Sequence, residues 1–183
     1  MTSKFLFGLI LLIGLVACGT PTEAPNLAMT AQDSLQMRGW VPDRLKGQIV
    51  LSPVTGAQAG SGTWWGSKIS NAALQDAIEE SLRATGMLAI RQGTGDFSME
   101  VKLIELEQPK FGLNTKVAVT IEYKVVNMGS GATVYQRRLR SMYVAEFTSS
   151  LLNPNDRLRL ASEGAVRSNV NLMLRDLIAL ALN

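Results

Sequence analysis

Between residues 116 and 125 the chain alternates almost without interruption. Val117, Val119, Ile121, Tyr123 and Val125 take one parity, while Lys116, Thr120, Glu122 and Lys124 take the other. Successive side chains of a strand point to opposite faces, so the pattern predicts a strand with one apolar and one wet face. A second alternation precedes it, with Phe97, Met99, Val101 and Leu103 set against Ser98, Glu100 and Lys102. Ile104 and Leu106 break its phase, which predicts a bulge or a strand end. Met128-Gly129-Ser130-Gly131 is turn chemistry, and Thr133 to about Phe147 reads as the return strand. Three half-buried strands in succession form an antiparallel meander whose apolar face needs a cover.

Two helices can supply it. Leu74, Ala77, Ile78 and Leu82 fall at helical spacing behind Ser70, a plausible N-cap, and Gly86 stands where a C-terminal cap belongs. Near the end of the chain, Asn153-Pro154 suits a helix start. There Val166, Val170, Met173, Leu174, Leu177, Ile178 and Ala181 make an apolar stripe. Arg157, Arg159 and Arg167 are expected on its exposed side, and Gly164 weakens the helix by about 1 kcal/mol relative to Ala. Gln48 to Leu51, closed by Ser52-Pro53, reads as a first short strand. The expected fold class is therefore α+β: a four-stranded, mainly antiparallel sheet with two helices packed on one face, in the order β-α-β-β-β-α.

The N-terminal end obeys other rules. Lys4 precedes an apolar run of 12 residues, Phe5 to Val16, which leads through Leu15-Val16-Ala17 into Cys18. A basic start, a short apolar core and a small residue before the cut mark a secretory signal. A helix crossing the hydrocarbon needs about 20 residues, so cleavage is expected rather than retention. Leu15 to Cys18 resembles the lipobox of bacterial lipoproteins. That resemblance implies cleavage between Ala17 and Cys18, a diacylglycerol on the Cys18 thiol and an acyl chain on the new amine. The alternative is a plain signal peptide followed by an incidental thiol. One acyl chain binds marginally at about 0.8 kcal/mol per buried methylene, whereas two or three hold firmly. Residue 19 is Gly, where lipoproteins retained in the inner membrane of enteric-type bacteria carry Asp. The expected address is the periplasmic face of the outer membrane.

The expected organisation is a signal peptide over 1–17, a lipidated N-terminus and flexible tether over 18–42, and a single domain over 43–183. Residues 20 to 39 are rich in Thr, Pro, Ala, Gln and Asn with no sustained period, which is the reason for expecting a tether. Loss of residues 1–17 leaves 166, enough for one domain with a core.

Composition removes whole chemistries. The chain has no histidine and one cysteine. With Cys18 acylated, no disulfide, thiolate metal site or cysteine nucleophile remains, and histidine-based catalysis and metal ligation are excluded. No catalytic residue, no metal and no cofactor beyond the covalent lipid is expected. The formal net charge of +3, or +2 once Lys4 is removed, argues against nucleic acid.

The element order behind the lipobox resembles that of small periplasmic lipoproteins. These include the lipoprotein of the lipopolysaccharide translocon, auxiliary lipoproteins of lipid-transport ABC systems and YajG-type lipoproteins. Trp65-Gly66-Ser67-Lys68-Ile69-Ser70, Leu103 to Gly112 and Arg157 to Gly164 carry a further resemblance, to uncharacterised lipoproteins of alphaproteobacterial type. That further resemblance implies a family but no mechanism; the tether, the small sheet-plus-helices domain and the missing catalytic residues fit a membrane-anchored, non-enzymatic accessory or binding subunit of an envelope system. Its expected partners are the membrane, an envelope protein and a lipid or glycolipid.

Five residues are candidates for contact with a partner or ligand. Trp64 and Trp65 sit in a loop with Gly60, Gly62 and Gly66, and adjacent rings cannot both face one core. Either one ring is exposed for a partner, or the pair folds over the sheet edge. Arg137, Arg138 and Arg140 crowd the return strand; they contact an anion, or they are solvated charges that deter edge pairing. An enzymatic alternative, acting on envelope lipid or cell wall, would rest on Glu105 and Glu107 converging in a pocket with one raised pKa. A purely structural envelope protein is the third reading.

Overall fold

The computed structural model describes residues 24–56, 69–91, 93–108, 115–149 and 154–182. One sheet of four strands runs in the spatial order β1 (Ile49–Leu51), β2 (Phe97–Glu107), β3 (Thr115–Asn127) and β4 (Thr133–Ala145). The last three form an antiparallel meander, and β1 lies parallel to β2. The fold is α+β, as the alternation predicts. The bulge is also present: the β2–β3 register shifts between Leu103 and Glu105, leaving Ile104 as the extra residue.

Beyond β1 the chain stays extended along β2. Ser52 donates its amide to Met99, Thr55 to Val101, and Leu103 donates back to Thr55, at 2.8, 3.1 and 2.9 Å. This brings Gly56 onto the bulge with φ +88°, where a Cβ would run into the Leu103 carbonyl. Only glycine accepts both the left-handed backbone and that approach.

Among the described residues four α-helices accompany the sheet: α1 (Ala24–Leu27), α2 (Ala31–Arg38), α3 (Asn71–Thr85) and α4 (Pro154–Leu182). α3 is capped as expected. The Ser70 hydroxyl accepts from the Ala73 amide at 3.0 Å, and Gly86 closes the helix at φ +79°. α4 packs on β3 and β4, and its Ala161, Ala165, Val166, Val170, Met173 and Leu174 are buried. α3 adds Leu74, Ile78 and Leu82 to the same core. Among the described residues no helix is long and apolar enough to cross a membrane.

The expected tether is folded from Ala24 onward. α1 packs on α3 and α4, and α2 on α3. Leu27, Ala28, Met29, Met37 and Val41 join the core. Two polar clamps hold the segment. Arg167 of α4 donates through Nη2 to the Asn26 carbonyl at 2.6 Å and through Nε to the Ala28 carbonyl at 3.1 Å. Ser81 of α3 accepts the Met29 amide at 3.1 Å. Arg167 is therefore a clamp and not a solvated charge. Arg157 also departs from the exposed side and is buried, while Arg159 reaches the buried Glu163 at 2.7 Å. A polar-looking stretch docks here because its few apolar side chains are supplemented by backbone groups paired with long polar ones.

Candidate functional site

Among the described residues the sheet leaves one face without helices. On it β2 presents Glu105 and Glu107, β3 presents Glu122 and Lys124, and β4 presents Arg138, Arg140, Met142 and Val144. Register determines who meets whom. Arg138 lies opposite Glu122 and reaches it at 3.4 Å. Arg140 forks onto Glu107, with Nη2 at 2.8 and 3.0 Å from the two carboxylate oxygens and Nε at 3.0 Å from Oε1. A planar guanidinium on a carboxylate fixes geometry well, yet in solvent it adds little stability.

Arg137 has the opposite parity and lies on the helix-covered side, where it pairs with Asp176 of α4 at 3.1 Å. Tyr135 donates to the same carboxylate at 3.2 Å. The three arginines therefore do not form one anion cradle: they divide between two faces, and each has an acidic partner. Glu105 and Glu107 are both exposed, and Glu107 is engaged by Arg140. Trp64, Trp65, Ala17 and Cys18 lie outside the described residues.

β4 is the free edge of the sheet among the described residues. It is 13 residues long, and Val134, Met142 and Val144 on its open face are exposed. Such an edge offers a row of unused backbone donors and acceptors, and Arg138 and Arg140 discourage casual pairing there.

Sequence reasoning missed a second feature. Between α2, β1 and the C-terminal end of α3 lies an open hollow of about 740 Å³. Val50, Leu88 and Ile90 give it an apolar wall, and Arg38, Lys46, Arg83 and Arg91 surround it against one carboxylate, Glu79. Arg83 is neutralised by Glu80 at 2.6 Å. Lys46 holds Asp43 at 2.7 Å, and this hydrogen bond and its charge lower the Asp43 pKa. Among the described residues neither Arg38 nor Arg91 has an ion-pair partner. These residues come from four separate segments, so no local period could have announced the hollow.

A buried polar network fixes the helix layer to the sheet. Tyr123 of β3 donates to Asn169 Oδ1 at 2.9 Å. The Asn169 amide donates to the Leu139 carbonyl at 2.9 Å and to the Ser141 hydroxyl at 3.1 Å. Ser141 donates onward to the Ala165 carbonyl at 2.7 Å. Burial, followed by the charge of Tyr135, pushes the Tyr123 pKa well above its usual value. Tyr123, Ser141 and Asn169 are all buried and each has a partner, so the network serves to align α4 on the sheet.

The fold has relatives of known structure. A Xanthomonas campestris protein of the DUF330 family superposes with a TM-score of 0.57 at 12% identity, over 74% of this chain and 86% of its own. A candidate lipoprotein from Caulobacter crescentus superposes with a TM-score of 0.50 at 13% identity, over 81% of this chain and 98% of its own. At these identities the likeness is one of fold. No protein-family model matches the chain, and no curated protein matches its sequence.

Proposed function

We infer that the chain is a lipid-anchored protein of the bacterial envelope that works by binding and not by turnover. The observation carrying this reading is the sequence Leu15-Val16-Ala17-Cys18, set at the end of a short apolar run behind Lys4. Cys18 carries the acyl chains, and Gly19 favours the periplasmic face of the outer membrane. The fold it shares with a candidate lipoprotein from Caulobacter crescentus supports the reading, as do the absence of histidine and the exposed positions of Glu105 and Glu107.

The surface suited to an envelope protein partner is the free β4 edge with the open sheet face beside it. Val134, Met142 and Val144 supply apolar contact there, and Arg138 and Arg140 supply polarity. A partner adding a strand or laying a loop along β4 would use main-chain bonds for affinity and these side chains for selection. The resemblance of the element order to lipoproteins of lipid-transport systems supports an envelope assembly that handles lipid as the source of such a partner.

Mass spectrometry of the protein recovered from membranes tests the anchor. A mature N-terminal peptide beginning at Cys18 and carrying acyl chains is expected. An unmodified sulfur, or a protein free in the periplasmic wash, overturns the reading.

A further inference from the structure

The docking of residues 24–41 changes the distance between anchor and globule. Five residues lie between Cys18 and Ala24, so six Cα-to-Cα steps join them. An extended chain spans at most about 3.6 Å per residue, so Ala24 stays within about 22 Å of the acylated cysteine. Ala24 begins α1, which packs on α3 and α4, with the Asn26 and Ala28 carbonyls held by Arg167. A lead of that length keeps the globule close to the bilayer, with the end of the helix side that carries α1 nearest the anchor.

The helix side is equipped for that contact. On α2, Leu35 is 69% exposed, and Trp40, just beyond the helix, is 49% exposed. Arg38, between them, lines the same hollow as Lys46 and Arg91, where Ile90 is 95% exposed. Arg44 reaches the Leu180 carbonyl at 3.3 Å, which brings the exposed Leu180 beside this group. Within residues 35–46 the cations Arg38, Arg44 and Lys46 outnumber the one acid, Asp43. Tryptophan favours the headgroup level of a bilayer, and clustered cations favour anionic lipid.

We propose that α2, Trp40 and the cationic hollow beside them form a membrane-contact face that lies on anionic lipid and fixes the orientation of the globule. The proposal rests on the lipid anchor argued above. With that orientation the β4 edge is held clear of the lipid.

The test uses the acylated chain with Trp64→Phe and Trp65→Phe, which leaves Trp40 as its only tryptophan, in vesicles of phosphatidylethanolamine and phosphatidylglycerol. The chain should float with the vesicles. Lipids brominated near the top of the acyl chain should quench Trp40 at least about two-fold, with acrylamide access reduced. Arg38→Glu with Arg44→Glu should lower the quenching while flotation persists. A Val134→Trp probe in a Trp40→Phe background, on the open face, should escape quenching.

Flotation with Trp40 unquenched overturns the proposal and leaves the anchor standing. Trp40 shielded from acrylamide yet unquenched by lipid means that protein covers it, which also overturns the proposal. Equal quenching of both probes removes the fixed orientation. A chain that does not float refutes the anchor and takes this proposal with it. Should the phenylalanine variants lose their circular dichroism, hydrogen exchange of the unaltered acylated chain decides. Amides of residues 35–46 should gain protection on passing from phosphatidylcholine to anionic vesicles, and no gain overturns the proposal.

Discussion

Gly164 looks like a flaw in a 29-residue helix, and the structure gives its reason. A Cβ there would land in the ring of Tyr143, which leans from β4 onto the helix. The atoms met include Cγ, near the backbone, so the ring cannot swing clear cheaply. Gly164→Ala should therefore destabilise by about 1 kcal/mol or more, overpacking outweighing the gain in helix propensity. In a Tyr143→Ala background the same substitution should stabilise by up to about 1 kcal/mol, and urea denaturation of the four proteins reads the cycle. Tyr123 carries a pH prediction. Burial, followed by the charge of Tyr135, raises its pKa in the fold, and burial followed by Asp176 does the same for Tyr135. The unfolded chain ionises both near pH 10, so the native state holds protons that the unfolded state releases. Stability from this source is complete below about pH 10 and declines above it, by about 1.4 kcal/mol per pH unit for Tyr123 alone. Denaturation midpoints between about pH 9 and pH 11.5 should fall accordingly, and less steeply in Tyr123→Phe.

At the scale of elements, legibility followed periodicity. β2 and β3 could be read because one face is buried, and parity alone then separates core from solvent. α3 was announced by Ser70 and Gly86. The N-terminal helices were not, because α2 buries only Ser34 and Met37 and so shows no apolar stripe. A local signal did exist. Thr30 caps α2 by accepting the Asp33 amide at 3.2 Å, the spacing of a capping motif. What the sequence could not show is that Arg167, more than a hundred residues away, receives this segment. Arg167→Ala should loosen it by about 2–3 kcal/mol through loss of two charge-assisted bonds. Hydrogen exchange should then rise over residues 26–38 while β3 stays protected. Arg167→Lys should restore only part of the protection, since an ammonium lacks the fork that reaches two carbonyls. The candidate sites were less legible than the fold. The arginines of β4 were visible, but their partners Glu107, Glu122 and Asp176 depend on strand register and on how α4 lies.

At the scale of the whole molecule, two surfaces stand back to back. One is the open sheet face with the β4 edge, and the other is the helix side, where α1 packs on α3 and α4. The bonds from Arg167 to Asn26 and Ala28 span 141 and 139 positions of sequence. The segment around α1 and the helix α4 thus close on each other like a clasp. The amino-terminal segment cannot finish docking ahead of the rest, because one of its two polar clamps, Arg167, does not exist until α4 has been made. A chain threaded through a membrane from its front end would arrive on the far side still open and would shut only as its tail came free.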